Sequence, residues 1–253
     1  MRTGIMGGTG FYSIFDDPEI IRMETPYGQV DVHRAKVGAS EVFFLPRHDK
    51  DHRLPPHRIN YRANVCALSL CRTDRIVAVN TVGSMNRGIP VGDLVVPHDF
   101  IDLTLPAPTF HDDGAFHVDM SDPLCPEIRA ALISSASASH GKAHVHDGVY
   151  AATHGPRLET PAEIRMLSAH ADVVGMTMAP ECILAREKGI CYASLCLVAN
   201  MAAGLQKKLS AREITSNMSY FRDSAGKMIL DAVKAIPADR NCGCRDAFLN
   251  ARL

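Results

Sequence analysis

Nearly continuous apolar runs that alternate with helical patterns constrain the fold of this chain more than any other feature. Two such runs lie at residues 76–79 (Ile-Val-Ala-Val) and 193–198 (Ala-Ser-Leu-Cys-Leu-Val). Short runs of this kind are typical of strands that are buried on both faces of a sheet. The sequence predicts strands at residues 41–46, 75–80, 93–97, 143–153, 172–177 and 190–200. It predicts helices at residues 59–71, 125–139, 161–169, 180–188 and 211–236.

Strands that alternate with helices predict an α/β fold with a largely parallel or mixed central sheet and helices on both faces. The chain has 253 residues and shows no internal repeat, low-complexity segment or linker. We therefore expect a single domain, 1–253, with a peripheral tail at 237–253. In such folds ligands bind beyond the carboxyl ends of the strands, so candidate site residues are expected there.

The charge of the chain excludes two classes of partner. The formal net charge is −1, which gives no basic surface for nucleic acid or for an anionic membrane. No apolar stretch reaches the ~20 residues of a membrane span, and no signal peptide pattern precedes residue 5. The sequence predicts a cytoplasmic protein without a nucleic-acid or membrane partner.

A glycine-rich turn, Gly-Gly-Thr-Gly at residues 7–10, follows a short apolar run at the start of the chain. Glycines let backbone N–H groups converge on an anion, and the Thr9 hydroxyl adds a donor. The turn lacks the spacing of a dinucleotide fingerprint and the Lys-Ser/Thr of a nucleotide P-loop. The alternative is a tight turn after an edge strand.

Polar side chains also follow three predicted strands. Arg47 and His48 follow the strand at 41–46, Thr81 follows the strand at 75–80, and Thr177 ends the strand at 172–177. With Thr9 they predict a site for a tetrahedral anion that carries a single strong positive charge, that of Arg47. Triphosphate sites need carboxylates for Mg²⁺ and a lysine for phosphate, and neither is found here. We therefore expect inorganic phosphate and no metal.

Six of the eight cysteines lie in apolar stretches, where a free cysteine acts as a small hydrophobic residue. Cys242 and Cys244 differ, because they lie in a polar tail after Pro237. They could form a vicinal disulfide, pair with another cysteine or bind zinc. Since no second Cys/His pair has matching spacing, the sequence favours two exposed thiols.

Eight stretches of the chain resemble the purine nucleoside phosphorylase family, and within it the methylthioadenosine and methylthioinosine phosphorylases. The resemblance covers residues 3–235 in consistent order. The matching stretches are 7–10, 47–48, 55–64, 80–84, 91–97, 155–160, 172–177 and 191–204. The resemblance implies a three-layer α/β fold with a central mixed, partly barrel-like sheet. It also implies a homotrimer or a dimer of trimers that performs phosphorolysis, with phosphate as co-substrate and no cofactor.

The resemblance further implies roles for individual residues. Phosphate contacts are expected from Gly8, Thr9, Arg47, His48, Asn80, Thr81 and Thr177. Sugar and base contacts are expected from Leu158, Val174, Met176, Asn200, Met201 and Ala202. Asn200, Arg47 and His48 are the expected catalytic residues. Asp49 stands where a glycine is usual in the family, and Leu158 stands where many relatives have a phenylalanine.

Two polar residues favour a 6-oxopurine base. Adenine-specific relatives resemble one another in having an aspartate at the position of Asn200 and a small residue at the position of Glu159. An asparagine NH₂ offers two donors to N7 and O6 of hypoxanthine. Glu159 accepts a hydrogen bond from the protonated N1, which adenine lacks. The two residues therefore predict a preference for hypoxanthine nucleosides.

The 5′ group is predicted from the start of the last helix, where ordinary purine nucleoside phosphorylases have a histidine for the 5′-hydroxyl. Here Ala211 and Ile214 offer no polar partner and favour a methylthio group. His117 matches a histidine that reaches over from the neighbouring subunit in relatives. We expect phosphorolysis of 5′-methylthioinosine. The alternatives are a methylthioadenosine phosphorylase, an inosine and guanosine phosphorylase, a nucleoside hydrolase and a non-catalytic purine-binding protein.

Overall fold

The computed structural model describes residues 1–49, 53–139, 144–207 and 210–251, except the side chains of residues 139, 211–215, 218–220 and 222. The strands are β1 Arg2–Gly7, β2 Glu19–Thr25, β3 Gly28–Val37, β4 Ser40–Pro46, β5 Arg75–Ser84, β6 Leu94–Leu103, β7 Val145–Thr153, β8 Val173–Gly175 and β9 Cys191–Met201. The α-helices are α1 Tyr61–Leu70, α2 Pro126–Ser139, α3 Pro161–Leu167, α4 Met178–Glu187, α5 Ala211–Ala235 and α6 Cys244–Leu249. A short 3-10 helix spans Pro56–Arg58.

The strands form one mixed sheet that closes on itself at one end. The strand order is β2-β3-β4-β1-β5-β8-β7-β6-β9, and β5 pairs in addition with β9. This extra pairing is parallel and runs from Arg75 opposite Cys191 to Ser84 opposite Met201. The five strands from β5 to β9 therefore form a closed barrel, to which the other four are added as a sheet. The predicted mixed, partly barrel-like sheet is confirmed.

Strand β5 changes its neighbour halfway along one edge. Its first part, Arg75 to Ala78, pairs with β1 in parallel, whereas Gly83 and Ser84 pair with β8 in antiparallel orientation. Between these pairings, residues 79–82 have no strand partner on this edge in the described part of the chain. The sheet thus opens a gap at the point where the strand direction reverses, which is where α/β folds bind ligands.

Helices cover both faces of the sheet, as predicted. On one face α2 and α5 contribute Ile128, Leu132 and Ile229 to an apolar cluster. On the other face α1 and α4 contribute Leu68 and Leu184 to a second cluster. All five of these side chains are buried. The two clusters hold the sheet in place, so that the ends of its strands form a fixed frame for a site.

Several local predictions need correction. The turn at residues 7–10 does not follow an edge strand, because β1 pairs with both β4 and β5. The hairpin of β2 and β3 was not predicted. Its strands are largely exposed and lack a continuous apolar face, as Ile20 at 63% exposure illustrates. Helix α6, which is only six residues long, was also not predicted. Strand β5 continues four residues beyond the predicted 75–80, and predicted residue 143 lies outside the described residues.

The expectation of two exposed thiols in the tail is wrong for Cys244, which is 2% exposed. Cys242 is half-buried. Both side chains pack with the apolar cluster of α2 and α5. Within the described residues, each helix is too short or too polar to cross a lipid bilayer.

Candidate active site

A cavity of ≈ 160 Å³ lies in the gap of the sheet, between the ends of β1, β4, β8 and β9. Twelve of the residues predicted from the sequence line it, namely Gly8, Thr9, Arg47, His48, Thr81, Leu158, Glu159, Val174, Met176, Thr177, Asn200 and Ala202. Pro56, Val82, Gly83 and Gly175 also line the cavity and were not predicted. The strand-end reasoning and the family resemblance therefore located the cavity together, but they missed these four apolar and glycine positions.

The turn after β1 brings backbone close to the cavity wall. A Cβ atom added at Gly8 would lie 2.6 Å from the Val79 carbonyl oxygen and 2.7 Å from Nη1 of Arg47. Both distances are shorter than van der Waals contact allows, so any larger residue would displace Arg47 or β5. Gly8 is thus required by close packing, and it lets Thr9 lie beside Arg47 at one end of the cavity.

Arg47 is held in a buried ion pair with Glu181, a residue of α4. Nε of Arg47 donates to Oε1 of Glu181, and Nη2 donates to Oε2 over 2.9 Å. The two side chains are 1% and 0% exposed. Nη1 donates to the Val79 carbonyl, 2.8 Å away, on the unpaired edge of β5. The hydroxyl of Tyr192 donates to Oε2 of Glu181, so every component of the pair is fixed.

The ion pair corrects the electrostatic prediction. Burial disfavours the Arg47 cation, but the charge and hydrogen bonds of Glu181 outweigh burial and raise the pKa of Arg47 above its ordinary value. Arg47 is therefore charged, as predicted. The carboxylate of Glu181, which accepts two hydrogen bonds from Arg47, balances this charge. The site does not carry a single uncompensated positive charge. Glu181 has no sequence signal beyond its position in the first turn of a helix.

Two threonine hydroxyls indicate a binding site for an anion at the Arg47 end of the cavity. Oγ1 of Thr81 is buried and has no hydrogen-bond partner among the residues that the structure describes, which is unfavourable unless a ligand supplies one. Oγ1 of Thr177 accepts a hydrogen bond from Nδ2 of Asn80 over 2.7 Å. Since that oxygen accepts from Asn80, the hydroxyl hydrogen of Thr177 can point into the cavity.

Asn80 lies behind the cavity and does not line it. The Ser194 hydroxyl donates to Oδ1 of Asn80 over 2.6 Å, which orients the amide so that its NH₂ group faces Thr177. The side chain of Asn80, which was predicted as a direct phosphate ligand, contacts Thr177 rather than the cavity. Asn80 is 2% exposed, and its hydrogen bonds end within the protein.

His48 is oriented by the loop that follows it. Nδ1 of His48 lies 2.8 Å from the carbonyl oxygen of Leu54, so Nδ1 carries the hydrogen. The Nε2 atom of a neutral ring is then an acceptor, and it becomes a donor only when the ring is protonated. A bound phosphate therefore contacts His48 either through its own P–OH group or through an imidazolium. The next residue, Asp49, has φ 62°, which explains why glycine is usual at this position in the resembling family.

The opposite end of the cavity is formed by Asn200 and Glu159. Nδ2 of Asn200 donates to the carbonyl of Met201 over 2.9 Å, and a Cβ at Gly83 would lie 2.9 Å from this same nitrogen. One of the two amide hydrogens of Asn200 is therefore engaged within the protein. Oε1 of Glu159 accepts a hydrogen bond from the Thr153 hydroxyl over 2.5 Å. Met201 does not line the cavity, and it contributes only this carbonyl.

Met176 lies between the two ends. Its carbonyl accepts a hydrogen bond of 3.5 Å from the Tyr61 hydroxyl, and its sulfur packs on Gly155. Burial and the nearby Glu181 charge raise the pKa of Tyr61 above its ordinary value, so the phenol stays protonated as a donor. An apolar thioether side chain on a fixed backbone suits the face of a sugar ring.

Of the three residues predicted for the 5′ pocket, His117 is described and does not line this cavity. His117 is exposed, and its backbone N–H donates to the carbonyl of Ala251 over 2.8 Å. The side chains of Ala211 and Ile214 lie outside the described residues.

The comparisons with known proteins agree with this architecture. Residues 2–234 match the model of the family described as "Phosphorylase superfamily". A protein of Methanosarcina acetivorans named "Probable S-methyl-5'-thioinosine phosphorylase" is 47% identical over 245 residues, which cover 96% of this chain and 93% of that protein. A 6-oxopurine nucleoside phosphorylase of Pyrococcus furiosus is 44% identical, with 99% and 98% covered.

A similar solved structure is that of a methylthioadenosine phosphorylase from an Antarctic soil metagenomic library. It superposes with a TM-score of 0.92 at 33% identity, and the match covers 99% of this chain and 92% of that one. The fold and the full-length similarity define a phosphate-dependent glycosyl-transferring enzyme. The chain belongs to the phosphorylase superfamily, as a pentosyltransferase of the purine nucleoside phosphorylase type.

Proposed function

We propose that the protein converts 5′-methylthioinosine and inorganic phosphate into hypoxanthine and 5-methylthioribose 1-phosphate. The observation that carries the choice of base is Glu159, whose carboxylate lines the cavity and accepts a hydrogen bond from Thr153. The same carboxylate has further lone pairs, which accept from the N1–H of a 6-oxopurine and repel the N1 lone pair of adenine.

Asn200 acts on the leaving group. One of its amide hydrogens goes to the Met201 carbonyl, and the other donates to N7 of the purine. As the bond between N9 and C1′ breaks, electrons move onto the base, and a donor at N7 stabilises the negative charge that develops there. The remaining discrimination against adenine then falls mainly on Glu159, because Asn200 has one free hydrogen rather than two.

Phosphate binds at the other end and attacks C1′ of the sugar. Gly8, Thr9, Arg47, His48, Thr81 and Thr177 are the proposed phosphate contacts. A phosphate oxygen forms the new bond to C1′ as the bond between C1′ and N9 breaks, and the purine anion leaves and takes the proton that hydrogen phosphate loses. Because Glu181 balances Arg47, phosphate keeps its own negative charge, which stabilises the cationic sugar in the transition state.

The sugar binds over Met176 and Val174, with the base covered by Leu158 and Ala202. The assignment of the 5′-methylthio group rests on the sequence alone, through Ala211 and Ile214.

The protein acts in the cytoplasm as a homotrimer or a dimer of trimers in which His117 reaches the neighbouring site. The mass of the assembly by light scattering tests this oligomeric state, and a monomer of full activity would exclude it.

The deciding experiment measures kcat/KM for methylthioinosine, methylthioadenosine, inosine and guanosine, each with and without phosphate. We expect turnover only with phosphate, and methylthioinosine as the best substrate. The 5′-hydroxyl of inosine lacks a hydrogen-bond partner, which costs about 1–3 kcal/mol. We therefore expect kcat/KM for inosine to be about 5- to 150-fold lower than that for methylthioinosine. Phosphate-independent release of hypoxanthine would identify a hydrolase. Equal kcat/KM for methylthioadenosine and methylthioinosine would contradict the proposed base.

Glu159→Gln tests directly whether Glu159 selects the base. The variant keeps the shape of the side chain but removes the charge that repels adenine N1. We expect the preference for methylthioinosine over methylthioadenosine to fall by about 10-fold or more, since a hydrogen bond to a charged group contributes about 1.5–3 kcal/mol. KM for phosphate should stay unchanged, because Glu159 lies at the other end of the cavity. An unchanged preference would assign base selection to another residue.

A further inference from the structure

Four cysteines that are distant in sequence meet at one point of the fold. Cys125 directly precedes α2, Cys191 is the first residue of β9, Cys242 lies in the tail, and Cys244 is the first residue of α6. Their four Sγ atoms all lie within 4.8 Å of one another. The Sγ atoms of Cys191 and Cys242 are 3.3 Å apart. This cluster of Cys125, Cys191, Cys242 and Cys244 is here called the thiol cluster.

The geometry of the thiol cluster approaches that of a tetrahedral metal site. Zinc binds thiolates at about 2.3 Å, which places the sulfur atoms of a tetrahedron about 3.8 Å apart. Four sulfur atoms that are mutually within 4.8 Å reach this arrangement by movements of about 1 Å, which side-chain rotation supplies. Two disulfides need only two close pairs, and they give no reason for all four sulfurs to converge.

The surroundings of the thiol cluster suit a thiolate-bound divalent cation. Cys125, Cys191 and Cys244 are buried and belong to the apolar cluster of α2 and α5. Arg240 contacts Cys242 through its side chain, and its Nη2 donates to the Gly189 carbonyl over 2.8 Å. Four thiolates around a divalent ion leave two negative charges, and the Arg240 guanidinium offsets part of them.

The donor set selects the kind of ion. Four sulfur ligands, without a carboxylate or imidazole among them, favour zinc and disfavour magnesium or calcium. All four positions of the tetrahedron are taken by protein, which is typical of a structural zinc site and leaves no open position for catalysis. Cys244 also borders a surface cavity together with Gly243, which gives the ion an entry path.

We propose that Cys125, Cys191, Cys242 and Cys244 together bind one structural zinc ion. The ion joins the tail to the starts of α2 and β9. Beyond the ion, the ring of Phe248 in α6 lies 5.8 Å from that of Phe116, and the Ala251 carbonyl holds the N–H of His117. The zinc ion thus fixes the tail on which residues 116 and 117 rest. This site does not depend on the proposed nucleoside substrate.

The first test measures zinc and free thiols in the full chain purified without metal chelators or reductant. We expect one zinc per chain by elemental analysis, and eight reactive thiols after denaturation in EDTA. Replacement of zinc by cobalt should give the visible absorption of a tetrahedral cobalt thiolate. A chain with no zinc and four thiols that react only after reduction would overturn the proposal in favour of two disulfides. A chain with eight thiols that takes up neither zinc nor cobalt would overturn it as well.

The second test compares Cys242→Ser with Cys66→Ser. Cys242 is half-buried, so the variant is expected to fold, and Cys66 is a half-buried cysteine of α1 outside the thiol cluster. Cys242→Ser should lower zinc affinity by more than the 10- to 100-fold that loss of an outer-shell partner costs, and Cys66→Ser should retain one zinc. EDTA should lower the Tm of the wild type and of Cys66→Ser, but not that of Cys242→Ser. Full zinc content in Cys242→Ser, or an EDTA-independent wild-type Tm in a zinc-bound protein, would contradict the assignment. If Cys242→Ser does not fold, the wild-type measurements alone decide.

Discussion

The candidate active-site cavity has a proposed phosphate end, at Arg47, and a proposed base end, at Asn200 and Glu159, and the protein holds the two ends with different firmness. At the phosphate end, Arg47 and Glu181 are almost completely buried, and Asn80 orients Thr177 from behind. At the base end, Leu158 is 39% exposed, and Glu159 lies at the entrance to α3. Within the described residues, Asn200 and Glu159 form side-chain hydrogen bonds with near neighbours in sequence, Met201 and Thr153.

This difference separates the residues proposed for the reaction from those proposed for substrate specificity. The contacts of the phosphate end join residues that are up to 134 positions apart, so a change there disturbs the packing of several elements. The base end uses local contacts of a loop and a strand end, so a change there alters recognition and leaves the frame intact. Substitutions at the two ends therefore test this contrast.

Glu181→Gln should have the largest effect, because it leaves the buried Arg47 cation without a counter-charge. Loss of one partner of a buried ion pair costs about 3–5 kcal/mol of stability. The free energy of unfolding, measured by urea denaturation, should fall by this amount. Asp31→Asn breaks the exposed pair with Arg22 and should cost at most about 1 kcal/mol. Equal losses in the two variants would show that the phosphate end is not specially rigid.

Asn200→Asp should change specificity at the base end without a large loss of stability. An ionised aspartate repels N7 and O6 of hypoxanthine, and it also removes the donor for the leaving group. Loss of such a donor lowers kcat by about 100- to 1,000-fold, so kcat/KM for methylthioinosine should fall by this factor. The fall for methylthioadenosine should be smaller, because a protonated aspartate complements N7 and N6 of adenine. Equal falls for both substrates would remove Asn200 from base selection.

Thr81→Val tests whether the unpaired hydroxyl of the phosphate end is kept for a ligand. The valine has the same shape, and the Thr81 hydroxyl has no partner to lose within the described residues. Stability should therefore stay the same or rise, whereas KM for phosphate should increase about 5- to 30-fold, which corresponds to about 1–2 kcal/mol.

The matched control is Thr73→Val, because the Thr73 hydroxyl is buried and donates to the Leu68 carbonyl over 2.9 Å, away from the cavity. This variant should lose about 1 kcal/mol of stability with no change of KM. The opposite pattern in the two threonines would exclude Thr81 as a phosphate contact.

Glu163→Gln should have the smallest effect and a defined pH dependence. Hydrogen bonds from Arg157 and from the backbone of Thr160 lower the pKa of Glu163 from 4.5 to about 2. A lowered pKa in the folded state stabilises the fold fully above the ordinary value, and this contribution is lost as the pH falls towards 2. The stability difference between wild type and variant should be constant near neutral pH and narrow below about pH 4.5. A difference that widens on acidification would contradict this role, and kcat should not change.

Much of the site could be predicted because parallel strands end at one edge of a sheet. Thr9, Arg47 and Thr81 follow or lie in three such strands, and the structure brings all of them to the cavity. The role of Asn80 could not be predicted, because neighbouring residues of a strand point to opposite faces and the strand continued further than its apolar run. Side-chain networks such as that of Ser194 and Asn80 depend on the pairing of β5 with β9.

The sequence by itself determined the α/β alternation, the strand ends and the residue types of the cavity, because apolar periodicity and turn residues are local properties of a chain. Only the tertiary structure decided that Glu181 balances Arg47, that the sheet opens along β5 between its pairings with β1 and β8, and that the thiol cluster forms. Each of these joins segments that are far apart in the sequence, and the partner of a buried charge or thiol is set by packing. The distance between two such groups exists only once the sheet has closed and the helices cover it.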